Sequence, residues 1–259
     1  MYFFEQLYSR NEALFYFSLI NFLSGFIFLL LSQVTNIKVM GANAWFKPVK
    51  FAFSIGLYTC TMAWFTAYLP DFNQIVFNYA VIILLGFELV YIAIQAAKGQ
   101  LSHFNMSTPF YAFLFQLMGL AASAIALYTL YITFLFFTEN VPNLPDYYLW
   151  SIKISLILFV IFSLEGAVMG ARMSHTIGGP DGGPGISFFN WSKKFGDPRI
   201  AHFVGMHALQ LLPLLSYFVF KNTIITLIAG LIYALLAVSI LVQALKGRSA
   251  FGKRGCIIN

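Results

Sequence analysis

The sequence predicts an all-α membrane protein, a polytopic bundle of seven transmembrane helices with its N-terminus outside the cell and its C-terminus in the cytoplasm. Three observations predict this fold class. The 259-residue chain is 60% hydrophobic and only 9% charged, whereas a water-soluble domain has about 25% charged residues. Seven apolar stretches reach about 20 residues, the length that crosses a bilayer. The basic residues are concentrated in alternate loops.

The seven stretches follow one another closely, so residues 1–259 are predicted to form a single transmembrane domain. Three of them begin at or just after a proline, at Pro109, Pro145 and Pro198, and proline suits the first turn of a helix. No connection is long enough to separate a soluble domain. The stretches cover residues 14–33, 48–69, 74–97, 109–138, 147–172, 200–220 and 223–245.

The charge distribution predicts the orientation of the bundle. One face carries three basic residues, Arg10, Lys153 and Lys221, together with most of the acidic residues. Short loops rich in Lys and Arg face the cytoplasm, and a surface of this kind attracts anionic lipid head groups. The charges are spread over several short loops, which argues against nucleic-acid binding. The basic residues of the predicted cytoplasmic face are Lys38, Lys47, Lys50, Lys98, Arg172, Lys193, Lys194, Arg199, Lys246, Arg248, Lys253 and Arg254.

Two carboxylates lie inside the predicted spans and are candidate functional groups, because ionisable residues at bilayer depth are costly. Glu88 is in the middle of the third span, and Gln95 shares its helix face. Glu165 lies about two turns before the end of the fifth span, with Arg172 on the same stripe. We predict a catalytic or proton-relay role for Glu88 and Glu165. An internal charge pair with Arg172, or a protonated carboxyl group bonded between helices, is the alternative.

The four histidines predict a metal or heme site at the cytoplasmic side. His103, His175, His202 and His207 all fall on or near that face, and we expect them as metal ligands, with His202 and His207 as cofactor-binding residues. Neutral imidazole suits iron, copper and zinc, and heme b commonly has an axial histidine. The chain has no His-Glu-x-x-His or Cys-x-x-Cys pattern, so separate elements would have to assemble the site. Hydrogen-bonded surface histidines are the alternative.

A glycine- and proline-rich cytoplasmic loop is predicted at residues 173–199. Five glycines and two prolines occur within residues 178–185, which makes the loop turn-rich but not freely flexible. We predict a lid over a cytoplasmic pocket, with Asp181 as a candidate catalytic residue. A compact loop without a ligand is the alternative. The earlier segment from Asn43 to Lys50 (NAWFKPVK) suits membrane anchoring or contact with an anionic lipid.

Four segments together resemble a widespread group of uncharacterised bacterial integral membrane proteins. They are WFKPVKF at 45–51, QLSHFN at 100–105, HTIGGPDGGPG at 175–185 and HFVGMHALQLLP at 202–213. The resemblance covers most of the chain. It implies a multi-pass protein of the bacterial inner membrane and carries no activity.

Three functions are consistent with these features. The first is a membrane oxidoreductase or other metal- or heme-dependent enzyme acting on a lipophilic substrate that enters from the bilayer. The second is a proton-coupled transporter that uses Glu88, Glu165 and Arg172, although no internal repeat supports it. The third is a sensor, or an assembly factor of a membrane complex. The seventh span has no lysine before Lys246, which argues against a retinal Schiff base.

Overall fold

The computed structural model describes residues 2–141 and 144–251, and the chain is predominantly helical in these ranges. Lys253 and Arg254, which the sequence analysis assigns to the cytoplasmic face, lie outside the described residues. The elements are α1 (Tyr2–Arg10), α2 (Glu12–Val34), β1 (Lys38–Val39), β2 (Ala42–Asn43), α3 (Phe46–Thr66), α4 (Gln74–Ala97), α5 (Pro109–Thr138), α6 (Asp146–Arg172), α7 (Pro198–Leu215, continued by a π-helical turn at Ser216–Phe220) and α8 (Thr223–Leu245).

Six helices, α2 and α4 to α8, are long and apolar enough to cross a membrane. They coincide with six of the seven predicted stretches, so a multi-pass helical membrane bundle is confirmed. The remaining stretch forms α3, a helix of 21 residues. Its first turns carry Lys47 and Lys50, and threonines occur along its length, which makes it less apolar than the other six.

The outer surface of the bundle is apolar. Leu120 on α5 and Ile224 on α8 are 67% and 68% exposed. Side chains of this kind are stable against lipid chains and costly against water. Large apolar side chains therefore lie on both sides of the helices: some face outward, and others, such as Phe77 and Phe136, form a buried core between the helices.

Close helix contacts depend on small residues, as is common in membrane bundles. A Cβ atom at Gly56 on α3 would meet the ring of Phe22 on α2, and one at Gly205 on α7 would fall on the ring of Phe162 on α6. The two pairs α2–α3 and α6–α7 are the most extensive helix contacts in the described chain. The bundle therefore contains two tightly packed helix pairs.

Four segments meet at one end of the bundle, which we name the covered end. They are the β1–β2 hairpin, residues 98–108, residues 173–197 and residues 246–251. Gly182 lies against the carbonyl group of Met40, and Ser249 donates a hydrogen bond to the carbonyl oxygen of Ser192 (3.3 Å). The loops that the charge pattern places on one face therefore lie at one end of the described structure.

Two elements were not predicted from the sequence. Helix α1 lies across the opposite end, where the guanidinium group of Arg10 stacks 4.1 Å from the ring centre of Trp64. The β1–β2 hairpin turns at Met40 and Gly41, which both have positive φ angles (50° and 80°). Positive φ at both central residues is typical of a two-residue hairpin turn. Gly41 was therefore the one residue in the sequence that indicated a turn at this position.

Candidate functional site

The glycine-rich loop is organised around the carboxylate of Asp181. Its oxygens accept hydrogen bonds from the hydroxyl groups of Ser174 (3.0 Å) and Thr176 (2.6 Å). They also accept from the backbone N–H (2.8 Å) and the ring Nδ1 (3.0 Å) of His175. Burial favours protonation of Asp181, but these hydrogen bonds outweigh it and hold its pKa well below the usual range. Asp181 is therefore a charged anchor that shapes the loop.

A second carboxylate closes the same loop at the start of α7. Asp197 caps the helix by accepting from the backbone N–H of Arg199 (3.1 Å). The guanidinium group of Arg199 binds the same carboxylate through Nε (2.8 Å) and Nη2 (2.6 Å) and also donates to the carbonyl oxygen of Asn190 (2.7 Å). Because this two-point contact is directional, it fixes where the loop enters the helix. The loop thus ends at residue 197, two residues earlier than predicted.

The loop rests on three other parts of the bundle. The ammonium group of Lys50, on α3, donates to the carbonyl oxygen of Phe189 (3.0 Å). The ring of His175 packs 4.7 Å from the ring of Phe104, in the segment that connects α4 and α5. Gly178 lies against Gly247, which follows α8. These contacts make the loop a cover over the polar side chains beneath it.

Glu165 and His202 form a pair beneath this cover. The Nδ1 atom of His202 lies 3.5 Å from the Oε2 atom of Glu165, and the side chain of Glu165 is only 4% exposed. The contact is close but is not a hydrogen bond, and both oxygens of Glu165 and Nδ1 of His202 lack any hydrogen-bond partner among the described residues. Arg172, the alternative partner considered from the sequence, is exposed. The pair therefore joins α6 to α7.

Unpaired polar atoms at such a depth need an explanation, because nearly all buried polar groups in proteins are hydrogen-bonded. An unpartnered buried group costs about 1–3 kcal/mol, and more if it is charged. The two oxygens of Glu165 and Nδ1 of His202 belong to a single contact. Their proximity suggests that one bound ion or molecule would satisfy all three atoms. A metal ion is one such species, since carboxylate oxygen and imidazole nitrogen are both common ligands.

Glu88 and Lys47 are two further ionisable groups of the bundle. Glu88 is 6% exposed, and the ammonium group of Lys47 is its nearby opposite charge. Lys47 makes no hydrogen bond or ion pair with the described residues, and Lys50 and Arg199 are close enough to repel it. Gln95, on the same face of α4 as Glu88, donates to the carbonyl oxygen of Leu101 (2.9 Å). From the sequence, Lys47 was predicted to anchor the chain at the membrane surface or to contact an anionic lipid.

His103 and His175 are held neutral at this end of the bundle. Burial, with the nearby positive charge of Lys47, lowers the pKa of His103 well below its usual value. Burial also lowers the pKa of His175, although its hydrogen bond to Asp181 acts in the opposite direction. Both imidazoles are thus uncharged at neutral pH, with Nδ1 of His175 engaged by Asp181.

His207 has different partners from His202, and they lie on its own helix. Its Nδ1 atom lies 3.2 Å from the Oε1 atom of Gln210, and Nε2 of Gln210 donates to the hydroxyl oxygen of Thr61 on α3 (3.0 Å). The ring of Phe203 packs 4.3 Å from the imidazole. The link from Gln210 to Thr61 was not predicted, because it depends on the rotation of α3 against α7.

The structure therefore brings together Glu165 with His202, and His175 with Asp181, while His103 lies within electrostatic reach of His175 and His202. Across residues 2–141 and 144–251, no three side chains of His, Cys, Asp or Glu gather closely enough to hold a metal ion by themselves. A metal at the covered end would thus take ligands from the Glu165–His202 pair and from water or substrate.

Comparison of the chain with family models, with curated proteins and with solved structures gives no match.

Proposed function

We propose that this protein is a metal-dependent enzyme of the bacterial inner membrane that acts on a lipophilic substrate at the covered end. The observation that carries the proposal is the Glu165–His202 pair, whose three buried polar atoms have no hydrogen-bond partner. Two ligands of one tetrahedral metal ion, each at about 2.0–2.2 Å, lie about 3.3–3.6 Å apart. The 3.5 Å separation of Nδ1 and Oε2 suits that arrangement.

The chemistry of the site depends on the metal coordination positions that Glu165 and His202 would leave unfilled. Two protein ligands leave coordination positions for water and substrate, which is a property of catalytic rather than structural metal sites. Iron, copper and zinc all accept imidazole nitrogen. A heme b is supported less well, because Nδ1 of His202 faces Glu165 on α6 whereas Nδ1 of His207 is engaged by Gln210 on its own helix. Asp181 and Asp197 position the cover. A metal at this site could support either an oxidation–reduction reaction or a hydrolysis.

We also propose seven spans, with the covered end in the cytoplasm. Helix α3 runs antiparallel to α2 along its length, since Phe28 stacks on Trp45 near one end and Arg10, just before α2, stacks on Trp64 near the other. A helix of 21 residues is about 31 Å long. If α2 crosses the bilayer, α3 therefore crosses it as well. The excess of Lys and Arg in the loops of the covered end supports its cytoplasmic location.

The test of the enzyme proposal is metal analysis of the protein purified in mild detergent without a metal-affinity step. We expect about one equivalent of iron, copper or zinc in the wild type and its loss in Glu165→Gln and His202→Gln. His207→Gln is the matched control, since the imidazole of His207 contacts Gln210 and not Glu165, and this variant should retain the metal. Well-folded wild-type protein that takes up none of the three metals on addition would contradict the proposal. A Soret band in the optical spectrum would indicate heme instead.

A proton-coupled transporter is the second candidate, and one observation favours it. Glu88 is buried in the middle of α4, and its nearby opposite charge, Lys47, has no other partner among the described residues. A buried carboxylate paired so loosely can exchange a proton during transport. In this case Glu88→Gln would abolish proton-driven uptake in vesicles while leaving metal content unchanged. If Glu88→Gln vesicles show the same proton leak and uptake as the wild type, this candidate is excluded.

A further inference from the structure

The surface between α3 and α7 faces the lipid, and each helix presents an exposed apolar side chain there. Leu57 on α3 is 39% exposed, and Phe203 on α7 is 37% exposed. Phe203, His207 and Gln210 share one face of α7 because they are spaced by four and three residues. The two helices touch only sparingly in comparison with α2–α3 or α6–α7. We name this feature the α3–α7 surface.

The hydrogen bonds at the α3–α7 surface determine which nitrogen of His207 carries the proton. The hydroxyl group of Thr61 donates to the carbonyl oxygen of Leu57 (2.7 Å), so its oxygen can only accept from Gln210. The amide nitrogen of Gln210 is therefore the donor to Thr61. Its amide oxygen then faces His207 and must accept from an N–H group at Nδ1. Neutral His207 thus has its proton on Nδ1 and a bare lone pair on Nε2.

The bare Nε2 atom can accept a hydrogen bond but cannot donate one. It has no hydrogen-bond partner anywhere in the part of the chain that the structure describes. His207 is nine residues beyond Pro198, or about 13 Å along the helix, which is close to half of the hydrocarbon thickness. Water is scarce at that depth. An occupant that satisfies Nε2 must therefore be soluble in the membrane and must bring its own donor.

An aromatic cluster adjoins the α3–α7 surface. The rings of Phe189 and Trp191 are stacked with their centres 4.4 Å apart, and the ring of Phe203 lies 5.6 and 5.5 Å from them. Lys50 holds this part of the loop through the carbonyl oxygen of Phe189. Clusters of this kind favour offset or edge-on packing of a further planar ring.

We infer that the α3–α7 surface binds a membrane-soluble phenol or hydroquinone, whose ring packs at the aromatic cluster and whose O–H group donates to Nε2 of His207. The planar ring suits the cluster, the hydroxyl group suits the bare acceptor, and the lipophilic tail lies in the bilayer. This inference does not depend on a metal at Glu165 and His202, because those side chains face each other between α6 and α7.

Binding is tested with the full-length protein in lipid nanodiscs. The probes are 4-decylphenol and its methyl ether, 4-decylanisole, which has the same ring and tail but no donor. Saturable binding of each labelled probe is compared at equal mole fraction in the lipid. We expect the phenol to bind about tenfold more tightly than the ether, because only the phenol can donate a hydrogen bond to an acceptor that has no other donor.

Variants separate this site from simple partitioning. His207→Leu should remove the preference for the phenol, and Gln210→Leu should reduce it, because the imidazole is then free to place its proton on Nε2. Leu214→Ala, one turn further along the same exposed stripe, is the control and should retain the preference. Nitrogen-15 spectra of histidine-labelled protein report the tautomer directly and should show His207 protonated at Nδ1, with Nε2 shifted on addition of the phenol.

Two results would overturn the inference. One is equal binding of the two probes by the wild type, or a preference that survives His207→Leu. The other is a nitrogen-15 spectrum in which Nε2 of His207 carries the proton or coordinates a metal. If the metal is absent but the phenol preference is present, the proposed enzyme fails and this binding site stands.

Discussion

Asp181 receives hydrogen bonds from three consecutive residues, Ser174, His175 and Thr176, and its side chain is 13% exposed. With its acceptor positions engaged by the loop itself, little of the carboxylate remains to contact a substrate. The role that this geometry supports is the positioning of the loop, rather than the catalytic role considered from the sequence. The segment from Ser174 to Asp181 is a self-contained turn that depends on one negative charge.

We expect Asp181→Ala to loosen residues 173–197 by about 2–3 kcal/mol, because hydrogen bonds to a charged group are among the stronger ones. Hydrogen exchange of this segment in detergent should show faster exchange, while exchange in α5 stays unchanged. Asp181→Asn should have a smaller effect, since the amide keeps one acceptor oxygen. Glu139→Ala, at the opposite end of the bundle, is the control. Equal protection of the loop in Asp181→Ala and the wild type would show that Asp181 does not organise it.

A pH dependence follows from His103 and His175. Their pKa values are lowered in the folded protein, so below about pH 6.5, the ordinary histidine pKa, the unfolded chain binds more protons than the folded one. Stability is then complete above that pH and is lost as the pH falls. The depressed pKa of Asp181 acts only below about pH 3.9 and does not contribute to this change.

The measurement is the thermal unfolding midpoint in detergent at pH 7.5 and at pH 5.5. We expect a lower midpoint at pH 5.5 in the wild type and a smaller difference in His103→Gln, which cannot take up a proton. A midpoint that is independent of pH in both proteins would exclude buried neutral histidines at the covered end.

Individual site residues could be selected from the sequence, but their partners could not. Glu88, Glu165 and His207 stand out because ionisable groups are rare in apolar helices. The contacts of Glu165 with His202 and of Gln210 with Thr61 join different helices. Such contacts depend on how far each helix is rotated about its axis. The spacing of residues along the sequence does not determine this rotation.

At the scale of helices and loops, long apolar stretches were predicted closely and short polar elements were missed. The stretch 147–172 is observed as Asp146–Arg172, and 74–97 is observed as Gln74–Ala97. Hydrophobic length determines these bounds. Helix α3 begins at Phe46, before its predicted start, and ends at Thr66, because the chain turns between Ala67 and Asp71 ahead of α4. The β1–β2 hairpin has only two residues in each strand. This is too few for the alternation of apolar and polar residues that identifies a strand in a sequence.

Helix packing between α6 and α7 should be sensitive to a single methyl group. Gly205→Ala places a Cβ atom on the ring of Phe162, which is 1% exposed, and overpacking of this kind costs about 1–3 kcal/mol. Gly119→Ala, in α5, has nothing within 4 Å of the new atom and should be neutral or slightly stabilising. The yield and thermal midpoint of the two variants in detergent make the comparison. Equal midpoints would show that α6 and α7 do not need this close approach.

The whole molecule has a predicted direction in the membrane, and single cysteines can test it. In a background that lacks Cys60 and Cys256, we expect cysteines at Asp71 and Glu139 to react with an impermeant maleimide added to whole cells. Cysteines at Lys98 and Gly183 should react only after the membrane is opened, because the excess of Lys and Arg in the loops of the covered end predicts that this end faces the cytoplasm. The reverse pattern would invert the topology. Labelling of Asp71 and Lys98 from the same side would instead show that α4 does not cross.

The contacts of the glycine-rich loop with the end of α8 and with the residues after it can form only when the last part of the chain has been synthesised. Gly196 packs against the carbonyl group of Ala244, Gly178 packs against Gly247, and the carbonyl oxygen of Ser192 accepts from Ser249. The residues of the loop are synthesised before these partners at the end of the chain. A chain that stops before Ala244 lacks the contacts of Gly196, Gly178 and Ser192, and its open loop is a preferred site of proteolysis.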